Sequence, residues 1–207
     1  MKVIYISDIP NHPAQLKLAE SLDRHGWQHV YIQCQYRGFG TKINELAAYL
    51  RGSDDEHFIM LDAFDNYCIG SPFDWDYRVP KTDRVVVSAE KQCYPEVHKA
   101  HHFTNPSPWR YVNSGQIYGH REYFLSLVDR FPCADDYNDQ TYYTDLAIGG
   151  HVDLDTDCRG FQSIAFEVDG DFTYDIERRL LLNNVTNTKP VFAHGNGRTS
   201  MGKVYQL

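Results

Sequence analysis

FIMLDAFDNY, residues 58–67, drives four apolar residues straight into Asp62 and places a second carboxylate, Asp65, three positions on, with Phe64 between them. An apolar run without polar interruption suits a strand buried on both faces of a parallel sheet. The two acids at its end either cap a helix or hold something positive. Similar runs recur at Val3–Ser7 (VIYIS), His29–Gln33 (HVYIQ) and Arg84–Ser88 (RVVVS). Between them, two helical stripes appear: Leu16, Leu18, Ala19 and Leu22, then Ile43, Leu46, Ala47 and Leu50. The first follows Asn11-His12-Pro13, with Asn11 placed to cap it, and the second follows the glycine-bearing loop YRGFGTK. Strand then helix, repeated, predicts an α/β domain with a mainly parallel central sheet. Ligands of such sheets gather beyond the carboxyl ends of the strands, where Asp62, Glu90 and His194 fall.

Further along, Trp109–Val112 and Gln116–Tyr118 read as strand pieces around a turn at Asn113-Ser114-Gly115. A helix is predicted from about Glu122 to Phe131, and another begins near Asp139. His151–Leu154, Phe161–Phe166 and Pro190–Ala193 read as short strands, the last delivering His194 into Gly195-Asn196-Gly197. With 207 residues and no internal repeat or long linker, the expectation is a single domain, 1–207. The net charge of −8 and scattered Lys and Arg argue against a broad nucleic-acid surface, which needs a concentrated basic face. Five cysteines, an odd number without a CxxC pair, fit reduced thiols in a cytosol-like compartment. The opening MKVIYIS reads as an immediate strand rather than a secretory leader. No apolar run approaches the roughly 20 residues that span a bilayer. The expected location is therefore cytoplasmic, without a membrane segment.

Several local patterns carry chemistry. Carboxylates are hard ligands that suit Mg²⁺ or Mn²⁺, and Asp62 and Asp65 reach one ion if the chain turns between them. In PVFAHGNG (190–197) an imidazole follows an apolar strand, and its glycines admit close approach of backbone N–H groups to an anion; an ordinary surface turn is the competing reading. YVNSGQIYG (111–119) offers small polar residues that a sugar or phosphate could approach, although Asn and Gly also favour a hairpin turn. ADDYNDQTYYTD (134–145) sets Asp135, Asp136 and Asp139 at a helix start, where the dipole favours acids whatever their function.

In their order along the chain, DAFD, SAEKQCYPE, YVNSGQIYG, DQTYYT, LDTDCRGFQ and TKPVFAHGNG resemble the glycosyltransferase domain of procollagen lysyl hydroxylases and related collagen glucosyl- and galactosyltransferase-like domains. The likeness runs from about Lys2 to Gly197. It implies a GT-A fold, a Rossmann-like sheet binding a UDP-sugar and Mn²⁺ (or Mg²⁺), and transfer of glucose or galactose to a hydroxyl. By matching position, Asp62, Asp65 and His194 would be metal ligands. Phe64 would lie against the uracil ring, Ser7 near the base, and Lys42 near phosphate. Asn113, Ser114 and Gly115 would line the donor sugar, while Gly195, Asn196 and Gly197 would hold the diphosphate. Asp139 and Gln140, with Asp136 before them, match the acidic segment facing the reacting sugar.

The chain also departs from that pattern. Asn138 stands where the relatives carry another Asp, and Tyr94 where they usually have Trp. Ser200 replaces a Lys, with Arg198 and Lys203 close by. No hydroxylase domain is recognisable, so the acceptor is open: protein, glycan or even a modified nucleobase. The alternative to a transferase is a nucleotide-sugar-binding or regulatory module of the same fold with reduced catalysis. A metal-dependent phosphohydrolase on the same acids would need a nucleophile motif that is not apparent.

Overall fold

The structure, a computed structural model, describes residues 1–207 with the side chain of Arg198 excepted. In chain order the elements are β1 (Lys2–Ser7), α1 (Pro13–Arg24), β2 (His29–Gln33), α2 (Gly40–Arg51), β3 (His57–Asp62), β4 (Asn66–Cys68), α3 (Pro72–Arg78), β5 (Val85–Glu90) and β6 (Tyr111–His120). Then follow α4 (Arg121–Arg130), α5 (Asp139–Ile148), β7 (Asp153–Asp155), β8 (Phe161–Ser163), β9 (Phe172–Asp175), β10 (Leu180–Asn183) and β11 (Phe192–His194). The main sheet has the order β2-β1-β3-β6-β5-β7. Its pairings are parallel except those of β6, which runs antiparallel to both β3 and β5. The expected mainly parallel sheet is therefore present, with one reversed strand at its centre. A second sheet, β4-β11-β8, and the hairpin β9–β10 stand beside it.

The unbroken apolar strands are explained by burial on both faces. Ile4, Ile6, Phe58 and Met60 pack with Ile43, Leu46 and Leu50 of α2 and Phe124 of α4. Their alternates Val3, Tyr5, Ile59 and Leu61 pack on the other face with Leu18 and Leu22 of α1, Trp27, Trp75, Phe161 and Phe192. Side chains of a strand alternate between faces, so only a strand covered twice can be apolar throughout.

Three local expectations change. Asn113-Ser114-Gly115 is no turn: it lies inside the continuous strand β6, where the partner of Val87 is Ile117 but that of Ser88 is Asn113. The extra residues form a wide irregularity in the ladder, and such bulges re-aim side chains. The cap of α1 is His12, whose Nδ1 accepts from the Ala14 N–H, while Asn11 takes a left-handed conformation at φ +58°. Helix α3, strand β4 and the β9–β10 hairpin form in segments whose sequence shows no clear periodic pattern. Helix α3 begins with a capping box at Ser71 and Asp74. The strand Pro190–Ala193 is shifted, so that His194 is the last residue of β11 rather than the first beyond it.

Candidate active site

Asp62 ends β3, Glu90 ends β5 and His194 ends β11, so three polar side chains emerge at strand ends over one cavity of about 540 Å³. After Asp62 the chain turns through Ala63 and Phe64 and returns as β4, which pairs antiparallel with β11 and matches Asn66 with His194. The Gly195 N–H donates to the Asp65 carbonyl at 2.8 Å, closing the corner. One ligand atom each from Asp62, Asp65 and His194 lie within 4.8 Å of one another. His194 Nε2 sits 3.2 Å from Asp65 Oδ1 and 4.0 Å from Asp62 Oδ2, yet it is buried without a directed hydrogen bond. An orphaned imidazole nitrogen facing two carboxylates is the donor set that a Mn²⁺ or Mg²⁺ ion completes. The residues fit such an ion.

Charge in the corner is balanced by Lys42. Its Nζ lies 2.5 Å from Asp62 Oδ1 and 2.7 Å from Asp139 Oδ2, and the side chain is buried. Burial opposes the ammonium, but Asp139 and Asp62 outweigh it and hold the Lys42 pKa well above the ordinary value. Burial likewise opposes protonation of His194, and the Asp65 charge, with Asp62 and Glu90 behind it, raises its pKa. For Asp65, burial is outweighed by His194, and its pKa is lowered. For Asp62, burial together with the neighbouring Asp65 wins, and its pKa is raised.

Glu90 is the hub of the deeper wall. Its Oε1 accepts from Asn113 Nδ2 at 3.3 Å and Gln140 Nε2 at 2.7 Å, and its Oε2 from Asn196 Nδ2 at 2.6 Å. Burial pushes its carboxyl up to about 6, against the three amide donors that favour the charged form.

Comparison with known proteins now decides the family. Residues 24–204 match the family described as the PLOD GT domain. The chain belongs to this family. An uncharacterized protein of Acanthamoeba polyphaga mimivirus is 30% identical over 166 residues, which cover 77% of this chain and 36% of that protein. The human multifunctional procollagen lysine hydroxylase and glycosyltransferase LH3 is 28% identical over 176 residues, covering 79% of this chain and 24% of LH3. The chain thus aligns with only about a third or less of these relatives' length. Among solved structures, a glycosyltransferase involved in glycosylation of the PBCV-1 major capsid superposes with a TM-score of 0.52 at 15% identity, covering 99% of this chain and 96% of the other. The galactosyltransferase LgtC, solved with donor and acceptor sugar analogs, gives 0.53 at 15% identity, covering 95% and 87%. The fold is that of GT-A glycosyltransferases.

Within this PLOD GT domain the anticipated residues are not placed alike. Lys42, Asp62, Asp65, Asn113, Ser114, Gly115, Asp139, Gln140, His194, Asn196 and Gly197 all line the large cavity. Ser7 and Phe64 line a smaller one of about 270 Å³ that shares Lys42, Asp62 and Asp65 with it. Asp136 is exposed and lies outside both cavities, because the turn before α5 sends it to solvent. Gly195 lines neither: its N–H is committed to Asp65, and a Cβ there would meet Met201 Sδ at 2.7 Å. Gly115 serves the imidazole, since a Cβ would stand 2.1 Å from His194 Cε1. Of the basic residues near HGNG, Arg198 has its side chain outside the described part, and Lys203 pairs with Glu167 at the surface.

Glu90 is legible in the sequence as a strand-end acid but its role is not, because its three amide partners come from β6, α5 and the segment after β11. Phe39, Tyr94 and Phe166 also ring the cavity, 54%, 66% and 53% exposed. Tyr94 carried a signal as the residue standing in for Trp. Phe166, held by a hydrogen bond from Lys91 Nζ to its carbonyl, carried none.

Proposed function

We propose that this chain, taken as one domain over residues 1–207, transfers a hexose, glucose or galactose, from a UDP-sugar to a hydroxyl acceptor with the help of Mn²⁺. The observation that carries the reading is the convergence of Asp62, Asp65 and the unpartnered Nε2 of His194 at the edge of a cavity of about 540 Å³. When bound there, the cation would offset the charge that develops on the leaving diphosphate. Ser7 and Phe64 in the smaller cavity suit a base, Phe64 offering a ring face already backed by His12 at 4.5 Å. Lys42 adds a buried positive charge beside the metal corner. Gln140 lines the cavity with its amide nitrogen anchored on Glu90 and on the Tyr94 carbonyl, at 2.7 and 2.6 Å, so its position is defined before substrate arrives. Asp139, next to it, is held by Lys42. The exposed rings of Phe39, Tyr94 and Phe166 give the mouth flat apolar faces of the kind that stack on sugars.

A screen of nucleotide-sugar donors, reading UDP release with purified protein and Mn²⁺, tests this. UDP with Mn²⁺ is expected to raise the melting temperature, and Asp65→Ala to remove both the shift and at least about 100-fold of the turnover while leaving the fold intact. No shift with UDP or any other nucleoside diphosphate would overturn the reading. A shift without sugar release from any donor would instead favour the reduced, binding-only module.

A further inference from the structure

We propose that Asn113, anchored by Glu90, is a positioning residue that sets the tautomer of His194: it keeps the ring proton on Nδ1 and leaves the Nε2 lone pair for a cation between Asp62 and Asp65. The inference rests on the metal reading of those three residues.

The orientation of the Asn113 amide is determined twice over. The Gly115 backbone N–H, which can only donate, lies 3.1 Å from Oδ1, while the Ser88 hydroxyl gives its proton to the Asn113 backbone carbonyl at 2.8 Å. On the other side Nδ2 faces a carboxylate oxygen of Glu90 at 3.3 Å, an acceptor. Both neighbours demand the same arrangement, so Oδ1 is the atom 2.9 Å from His194 Nδ1. A carbonyl oxygen cannot donate, and Nδ1 must therefore carry the hydrogen. In the neutral ring this leaves Nε2 bare. That nitrogen is buried, faces Asp65 at 3.2 Å and has no hydrogen-bond partner, an arrangement that carboxylates would repel unless a positive charge stood between them. Gly115 adds the steric half of the device, because the ring packs where a Cβ would be and has no room to tilt. Oδ1 is taken by the Gly115 N–H and the imidazole, and Nδ2 gives one hydrogen to Glu90, which leaves its second hydrogen for the cavity that Asn113 also lines. Orientation of a ligating imidazole through its other nitrogen typically changes metal affinity by about 10- to 100-fold.

Long-range proton–nitrogen correlation on the ¹⁵N-labelled, metal-free protein, at a pH where the ring is neutral, reads the tautomer directly. Nδ1–H is expected in the wild type, and Nε2–H, turned toward Asp65, in Asn113→Leu. Titration with Mn²⁺ alone is the second readout: Asn113→Leu should bind about 10- to 100-fold more weakly than the wild type. Nε2–H in the wild type overturns the inference without any variant, as does an Asn113→Leu protein that binds Mn²⁺ like the wild type. A wild type with Nδ1–H that does not bind Mn²⁺ would overturn the metal reading instead.

Discussion

At the scale of single residues, Gly115 shows how little room the site leaves. Its missing side chain is the space occupied by the His194 ring, and its N–H orients the amide that bonds to that ring. Gly115→Ala would drive a methyl into the imidazole. Gly115 sits in the irregularity of β6, but its neighbours are tied, Asn113 to Ser88 of β5 and Gln116 to Leu61 of β3, which limits how far it can move away. Overpacking of this kind costs about 1–3 kcal/mol, so a lower denaturation midpoint is expected, together with loss of Mn²⁺ binding in a titration of the folded protein. A variant that kept both would show that the ring has slack. Asp62 and Asp65 were legible as a pair because their spacing and the apolar run before them are local. The purpose of Gly115 was not, since His194 is 79 residues away in the chain.

At the scale of elements, the start of α5 carries Asp139 and Gln140 to the cavity, and two features put it there. Gly38 and Gly40 let the loop before α2 lie against the segment before α5: a Cβ at Gly40 would stand 2.0 Å from the Ala134 carbonyl oxygen, and one at Gly38 2.5 Å from that of Asp135. This close crossing brings Lys42 within reach of Asp139. The second feature is Asn138, which the sequence marked as a departure from the family. Its Oδ1 accepts from the Thr141 N–H at 2.9 Å and caps the helix. Asn and Asp cap comparably, so Asn138→Asp is expected to stay within about 0.5 kcal/mol of wild type, whereas Asn138→Ala should lose about 1 kcal/mol in thermal or urea unfolding. A large loss for Asp would mean that the neutral side chain matters beside Asp139.

At the scale of the whole molecule, the reversed strand β6 is decisive. It lies between β3 and β5, and the irregularity opposite Val87 and Ser88 places Asn113, Ser114 and Gly115 between the ends of those strands. The cost of gathering so many polar groups is visible in Glu90. Burial raises its carboxyl to about 6 in the folded chain from 4.5. The folded state therefore binds the proton more tightly, and the associated stability is fully present below the unfolded pKa and lost as pH rises through about 6. Comparing wild type with Glu90→Gln isolates this group. The difference in unfolding free energy should move by about 2 kcal/mol in favour of the wild type between neutral pH and pH 4. A difference that did not change with pH would mean that Glu90 titrates alike in the folded and unfolded chain, and one that moved against the wild type would mean that the three amides hold it ionised.

What the sequence by itself determined was the α/β pattern, the strand ends and the identity of most polar residues that meet there. Apolar runs, helical stripes and motif order are all local or ordinal properties, which a chain displays without folding. What only the tertiary structure decided was which atoms are free. It turned Asn113-Ser114-Gly115 from a turn into a bulge, spent the Gly195 N–H on Asp65, sent Asp136 to solvent and made Glu90 the partner of three amides. Those outcomes depend on hydrogen bonds between residues far apart in the chain. Each buried polar group has a limited number of bonds to give, and only packing shows where they go.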